Sequence, residues 1–256
     1  MKIFITNDDG VQAKGIRAIA DLMTKYGHVT IVAPKEAQSG KSAAISLDKP
    51  LRLKKIEEKE NLDIYYCEGT PVDCVKMAMD EVFKGDLPDL VISGINHGSN
   101  TSAASVYSGT LGAAMEGTLY GIPSIGLSLC SHNPDADFTG VIHYAEKIIN
   151  AFMKKGLEED VFLNVNFPKC PLEEIKGIKA AYQGRGQWIN EFEKRIDPQH
   201  NPYYWMGGKF INAEKEDSIA DHILIEHNYI TIVPQKVDRT YYKAIQSVQD
   251  CIDTIE

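Results

Sequence analysis

No apolar run in this chain approaches the ~18 residues that a membrane helix needs, so no membrane-spanning segment is expected. Positive charge is also in short supply. Against 36 Asp and Glu stand 27 Lys and Arg, a formal net charge of −9. That excludes broad contact with nucleic-acid backbones, which need a basic face. A small phosphate ligand stays possible, because a metal ion can supply positive charge locally. Cysteine is sparse: five residues, an odd number, with no C-x-x-C spacing. This reads as buried, reduced thiols in a cytoplasmic protein and not as a disulfide frame. The start of the chain has one lysine and an apolar stretch too short for a signal peptide. No Gly-rich dinucleotide fingerprint follows the first strand, which argues against an NAD or FAD fold. Internal repeats and low-complexity tracts are absent.

What is present is the material of one large α/β domain in 256 residues, 43% of them hydrophobic. Residues 2–6 read as a buried strand. Ile16, Ile19, Ala20 and Met23 share one face of a helix over 15–26. Strands are expected at 28–33, 64–67, 89–93, 124–129, 161–167 and 229–233. Helices are expected from Thr70-Pro71, with Thr70 as N-cap and Pro71 at the first helical position, and over 109–120 and 141–154. The last ~20 residues read as loosely helical. Strands separated by helices imply a mostly parallel sheet in a three-layer, Rossmann-like α/β/α core. Residues 183–217 break the pattern. They are rich in Gly, Asn, Asp, Pro and aromatics, and read as an arm or hairpin leaving a core of about 1–182 and 218–256.

Ligands of open parallel sheets bind beyond the carboxyl ends of the strands. Three loops there carry polar clusters. Asn7-Asp8-Asp9-Gly10 follows the first strand. Two carboxylates at a strand tip repel phosphate unless a divalent cation lies between, and Mg²⁺ takes such oxygens. Both can address one ion only if the chain already turns at Asp8. The competing reading is an Asp-Gly turn that caps the next helix. The second loop, Ala37 to Ser42, offers the Ser39 hydroxyl. It looks like the tail of a P-loop but lacks the leading glycine. Lys41 there could pair with phosphate, or be a flexible surface lysine. The third runs from Ser93 through Asn96 and His97 to Tyr107-Ser108-Gly109-Thr110. Asn96 adds a neutral oxygen suited to a hard metal. Backbone N–H groups and the hydroxyls of Ser108 and Thr110 at a helix start suit an anion, with plain N-capping as the alternative. His97 is a candidate acid or base, or a structural histidine. Tyr203, Tyr204 and Trp205 could stack on a base or pack against a partner subunit.

Taken together, these segments resemble the SurE survival-protein nucleotidases. The matching stretches are TNDDGVQAKGI (6–16), VAPKEAQSGKSAAIS (32–46), EGTPVDCVKMA (68–78), the run from Asp89 to Ser128, and LNVNFP (163–168). The resemblance implies a C-terminal arm exchanged between subunits, in a homodimer or homotetramer. It also implies a phosphatase that uses one divalent metal ion, Mg²⁺ or Mn²⁺, on nucleoside monophosphates, with short polyphosphate as a side substrate. Carried over by position, the metal ligands are Asp8, Asp9, Ser39 and Asn96, with Asp8 and Asp9 catalytic. Asn96, Ser108, Gly109 and Thr110 cradle the phosphate. The chain departs from the family pattern at Gly40-Lys41-Ser42-Ala43, at His97, where arginine is common, and at Asp197-Pro198-Gln199-His200.

The nucleophile implied is a water activated near neutral pH, with attack by Asp8 itself the other route. A haloacid-dehalogenase-type site is disfavoured, because its two aspartates are separated by one residue and these are adjacent. The rival of another class is a nucleotide-binding sensor without catalysis.

Overall fold

A computed structural model describes residues 1–255. In chain order its first half contains β1 (Lys2–Thr6), α1 (Lys14–Met23), β2 (His28–Pro34), β3 (Leu53–Lys59), β4 (Leu62–Cys67), α2 (Pro71–Met77), β5 (Leu90–His97), α3 (Gly109–Leu119), β6 (Ser124–Leu129), α4 (Thr139–Lys155) and β7 (Val161–Phe167). The second half adds β8 (Ile178–Ala180), β9 (Gly186–Ile189), β10 (Phe192–Ile196), β11 (Pro202–Met206), β12 (Lys209–Asn212), α5 (Asp221–Glu226), β13 (Ile230–Lys236) and α6 (Ile245–Ile252).

Nine strands form one sheet in the order β3-β4-β2-β1-β5-β6-β7-β13-β8. The six from β4 to β7 are parallel, as expected of strands buried on both faces. Alternation along β1 explains the layers. Ile3 and Ile5 pack with Ile16 and Ile19 of α1 and with Ile148 and Ile149 of α4. Phe4 points the other way, to Cys74 and Val75 of α2 and Ala113 of α3. The start of α2 is built as its sequence demands. The Thr70 hydroxyl accepts from the Asp73 N–H at 3.1 Å, and the Asp73 carboxylate accepts from the Thr70 N–H at 2.8 Å.

Chain direction decides where the site falls. From β1 the chain moves outward to β2, then returns past β1 to lay down β5 on its other side. The crevice at the carboxyl ends of β1 and β5 is therefore the switch point of the sheet.

Several features differ from the sequence reading. The helix expected over 15–26 spans Lys14–Met23 and ends in a turn. Edge strand β3 lies where none was expected, because five of its seven residues are charged and only its antiparallel pairing with β4 defines it. α2 runs on as a π-helical segment, Ala78–Phe83. β5 continues past Ser93 to His97 with a register shift against β6 between Ser93 and Asn96. At that shift Gly94 has φ +130°, and a Cβ there would lie 2.3 Å from the Leu127 carbonyl oxygen. β13 pairs antiparallel to β7, and the short β8 was not foreseen. Residues 186–212 leave the sheet as two antiparallel ladders, β10–β11 and β9–β12.

Candidate active site

Asn7, not Gly10 alone, makes the turn after β1. Its buried side chain donates to the Gly10 carbonyl at 2.9 Å and accepts from the Gly10 N–H at 3.2 Å. This Asx-type closure turns the chain right after the strand, which is the condition for two adjacent aspartates to address one place.

The two carboxylates are held differently. Asp8 is buried and accepts from the Thr110 hydroxyl, Oγ1 to Oδ1, at 2.5 Å. Gly109 allows this approach: a Cβ at Gly109 would lie 2.9 Å from Asp8 Cβ and 3.2 Å from Oδ2. Burial pushes the Asp8 carboxyl from its ordinary 3.8 up to about 6. The Thr110 bond works against that rise and the Asp9 charge adds to it. Asp9 is partly open, and its Oδ2 accepts from the His97 N–H at 2.9 Å, with His97 Nδ1 at 3.3 Å. The His97 ring is set edge-on against Phe138, centroids 5.2 Å apart. Among the described residues no lysine or arginine pairs with either aspartate.

The other predicted residues converge here to different degrees. Asn96 is buried and spends its amide N–H on the Gly98 carbonyl at 2.8 Å, which leaves Oδ1 as its free group. Ser39 is exposed. The Gln38 N–H, bonded to the Asp8 carbonyl at 2.7 Å, brings that loop alongside the aspartates. Ser108 caps α3, its Oγ accepting from the Leu111 N–H at 3.1 Å. The Thr110 hydroxyl is committed to Asp8, whereas the Ser108 hydroxyl accepts and keeps its O–H to donate to an anion, beside the backbone N–H groups of this helix start. Lys41 is exposed, and Tyr203, Tyr204 and Trp205 lie exposed on β11. The sequence reading missed Asn7 and the tie from Thr110 to Asp8. Asx chemistry in N-D-D-G could have signalled the first. Nothing local signals the second, since the partners are 102 residues apart.

The donor set fits a hard divalent cation. It has two carboxylates without a cationic partner, one amide oxygen and one hydroxyl, all oxygens. Thr6 and Ser93, register partners on β1 and β5, keep buried hydroxyls that have no protein partner. Among the described residues no three His, Cys, Asp or Glu cluster together, so the candidate ligand set rests on the two aspartates with amide and hydroxyl oxygens.

Known proteins resemble this chain over most of its length. The family model described as Survival protein SurE matches residues 3–190. A curated 5'-nucleotidase SurE of Flavobacterium psychrophilum is 44% identical over 249 residues, 97% of this chain and 96% of that protein. Another of that description, from Thermoanaerobacter sp. (strain X514), is 42% identical and covers 96% of each chain. The crystal structure of the SurE protein from Aquifex aeolicus superposes with a TM-score of 0.85 at 33% identity, covering 98% of this chain and 99% of that one.

Proposed function

The chain belongs to the survival-protein SurE family and is a 5'-nucleotidase that hydrolyses nucleoside monophosphates, and we propose that it does so as a divalent-metal-dependent phosphatase with Asp8, Asp9, Ser39 and Asn96 as the metal ligands. The observation that carries this reading is Asp8. It is a buried carboxylate at the switch point of the sheet, with no lysine or arginine partner among the described residues, beside a helix start that offers N–H groups to an anion.

When bound, a divalent ion offsets the carboxylate charge and acts as a Lewis acid on the phosphoryl oxygens. The rest falls to the chain's own groups. The N–H groups at Gly109 and Thr110 hold the phosphoryl oxygens where charge develops. Thr110 keeps Asp8 turned into the site, and the His97 N–H keeps Asp9 there. Asn96 presents its oxygen because its amide is already spent on Gly98.

Phosphate release from AMP and GMP, with and without EDTA, tests the reading. Release abolished by EDTA and restored by excess Mg²⁺ or Mn²⁺ is expected. Saturable AMP binding without release at any metal concentration would favour the sensor alternative.

We read the chain as a single domain, with a core of about 1–182 and 218–256 and an arm over 183–217. We propose that the arm mediates a homodimer or homotetramer, supported by the exposed Phe192, Ile196, Tyr204, Trp205 and Met206 on β10 and β11. Among the described residues no helix is long and apolar enough to cross a membrane.

A further inference from the structure

Asp221, the first residue of α5, is fully buried and has no lysine or arginine partner among the described residues. Its carboxylate is instead a hub for backbone N–H groups from separate parts of the chain. Ser102 donates to Oδ2 at 3.0 Å and to Oδ1 at 3.1 Å, Gly184 donates at 3.0 Å, and His222 at 2.8 Å. The Ser102 hydroxyl closes the triangle by donating to the Gly184 carbonyl at 2.8 Å.

The two segments joined here have different roles. Ser102 opens the 3₁₀ segment Ser102–Tyr107 that leads directly into Ser108, the cap of α3. Along it the Ser105 hydroxyl donates to the Ser102 carbonyl at 2.8 Å, and the Ser108 N–H reaches the Ser105 carbonyl at 3.4 Å. Gly184 lies two residues before β9, where the arm departs. The arm's far end is held from the same place, with His222 Nε2 2.8 Å from Oδ1 of Asn212, the last residue of β12. Just upstream, Asn100 is tied to the sheet through Asn164 and Asn166 at 2.9 and 2.8 Å. From Ser102 to Tyr107 the remaining hold comes from Ser42, whose N–H and hydroxyl bond the Tyr107 and Val106 carbonyls.

We propose that Asp221 is a positioning residue that fixes the Ser102–Ser108 segment to both ends of the arm, so that arm placement sets how well the start of α3 holds phosphate. A buried carboxylate met only by N–H donors has no hydrophobic substitute that satisfies those donors, so the joint is specific. The consequence for phosphate rests on reading Ser108–Thr110 as the phosphate end of the site.

The test uses full-length Asp221→Asn protein, in which one acceptor oxygen becomes a donor facing other donors. Hydrogen exchange of the unliganded protein is expected to accelerate about tenfold at both 102–108 and 184–188. Inorganic phosphate, measured as an inhibitor of AMP hydrolysis, is expected to bind about fivefold or more weakly, while the Mn²⁺-induced rise in Tm stays within about 1 °C of the parent. Exchange raised in only one segment, unchanged phosphate affinity, or loss of the Mn²⁺ effect overturns the proposal. Asn212→Ala, on an exposed arm strand, keeps Asp221 intact and decides the matter if Asp221→Asn does not fold. Its exchange at 102–108 is expected to rise about twofold, and no rise overturns the coupling. Failure of the phosphate reading would look different: phosphate would leave amides 108–111 of the parent unprotected, yet 102–108 would still respond to Asn212→Ala.

Discussion

Thr110 Oγ1 donates to Asp8 Oδ1 across 2.5 Å, so the helix that offers N–H groups to an anion also steadies the carboxylate that would repel one. Hydrogen bonds to charged groups contribute roughly 1.5–3 kcal/mol. Thr110→Val keeps the shape and removes the donor, and is expected to lower kcat/KM about 10- to 100-fold and raise the metal concentration needed for half-activity. Thr110→Ser retains the donor and should stay within about threefold of the parent. Steady-state kinetics across a Mn²⁺ titration decides this, and a Thr110→Val enzyme with parental kcat/KM removes the assigned role.

Asp8→Asn should trade activity for stability. The Asp8 carboxyl titrates at about 6 in the metal-free fold against 3.8 ordinarily, so the fold binds its proton more tightly than the unfolded chain does. Stability from this group is therefore full below pH ~4 and is lost as pH rises to ~6. At pH 8 the cost is roughly 2–3 kcal/mol, relieved by asparagine, whose oxygen can still accept from Thr110. In EDTA at pH 8 the variant should melt about 5 °C above the parent, and the gap should close by pH 4. With metal, turnover should fall by about 10³-fold or more, with no Mn²⁺-induced rise in Tm. Nucleotidase activity at the parental level would remove Asp8 from the metal set.

How far the sequence reading reached is clearest element by element. Residues 2–6, 124–129 and 161–167 became strands with those bounds, because their apolar runs are buried on both faces and local pattern suffices. Thr70-Pro71 became a capped helix start because both bonds of its capping box join residues only three apart. What escaped depends on distant partners. Nothing in Leu53–Lys59 reads as a strand until Leu62–Cys67 pairs with it. Ser108 and Thr110 look alike as hydroxyls at a helix start, yet one caps its own helix and the other reaches back 102 residues to Asp8. Direction is equally invisible: the run over 230–233 does not say that it pairs antiparallel to β7.

Gly109→Ala tests the close approach that brings helix and carboxylate together. The added Cβ would meet Asp8 Cβ at 2.9 Å, closer than real Cβ contacts come, and the neighbour is a short side chain on a fixed turn. Asp8 or α3 must shift by a few tenths of an ångström. Alanine is the better helix former by about 1 kcal/mol, which offsets part of the strain, so Tm should move by only about 2–4 °C. Activity should fall about 10-fold or more, since misplacement of catalytic groups is far costlier than the same shift in a core. Measuring Tm and kcat on the same preparation separates the two effects, and an unchanged kcat would show that the approach is not needed.

The arm should fail as an isolated element. The β10–β11 ladder joins five residue pairs and stands apart from the main sheet. A lone two-stranded hairpin is marginal in water. This one leaves Phe192, Ile196, Tyr204 and Met206 exposed on one face and Tyr203 and Trp205 exposed on the other, so neither face of the ladder is covered. A second copy of the chain covering these side chains resolves both problems. The parent should therefore sediment at twice or four times its 28.4 kDa at micromolar concentration. Trp205→Glu should shift the distribution toward monomer, because burying an unpaired carboxylate in an apolar contact costs several kcal/mol. The parent core should keep its secondary structure in that variant, since Trp205 contributes nothing to the buried clusters. A parent that is monomeric at these concentrations rules the arm out as an assembly element.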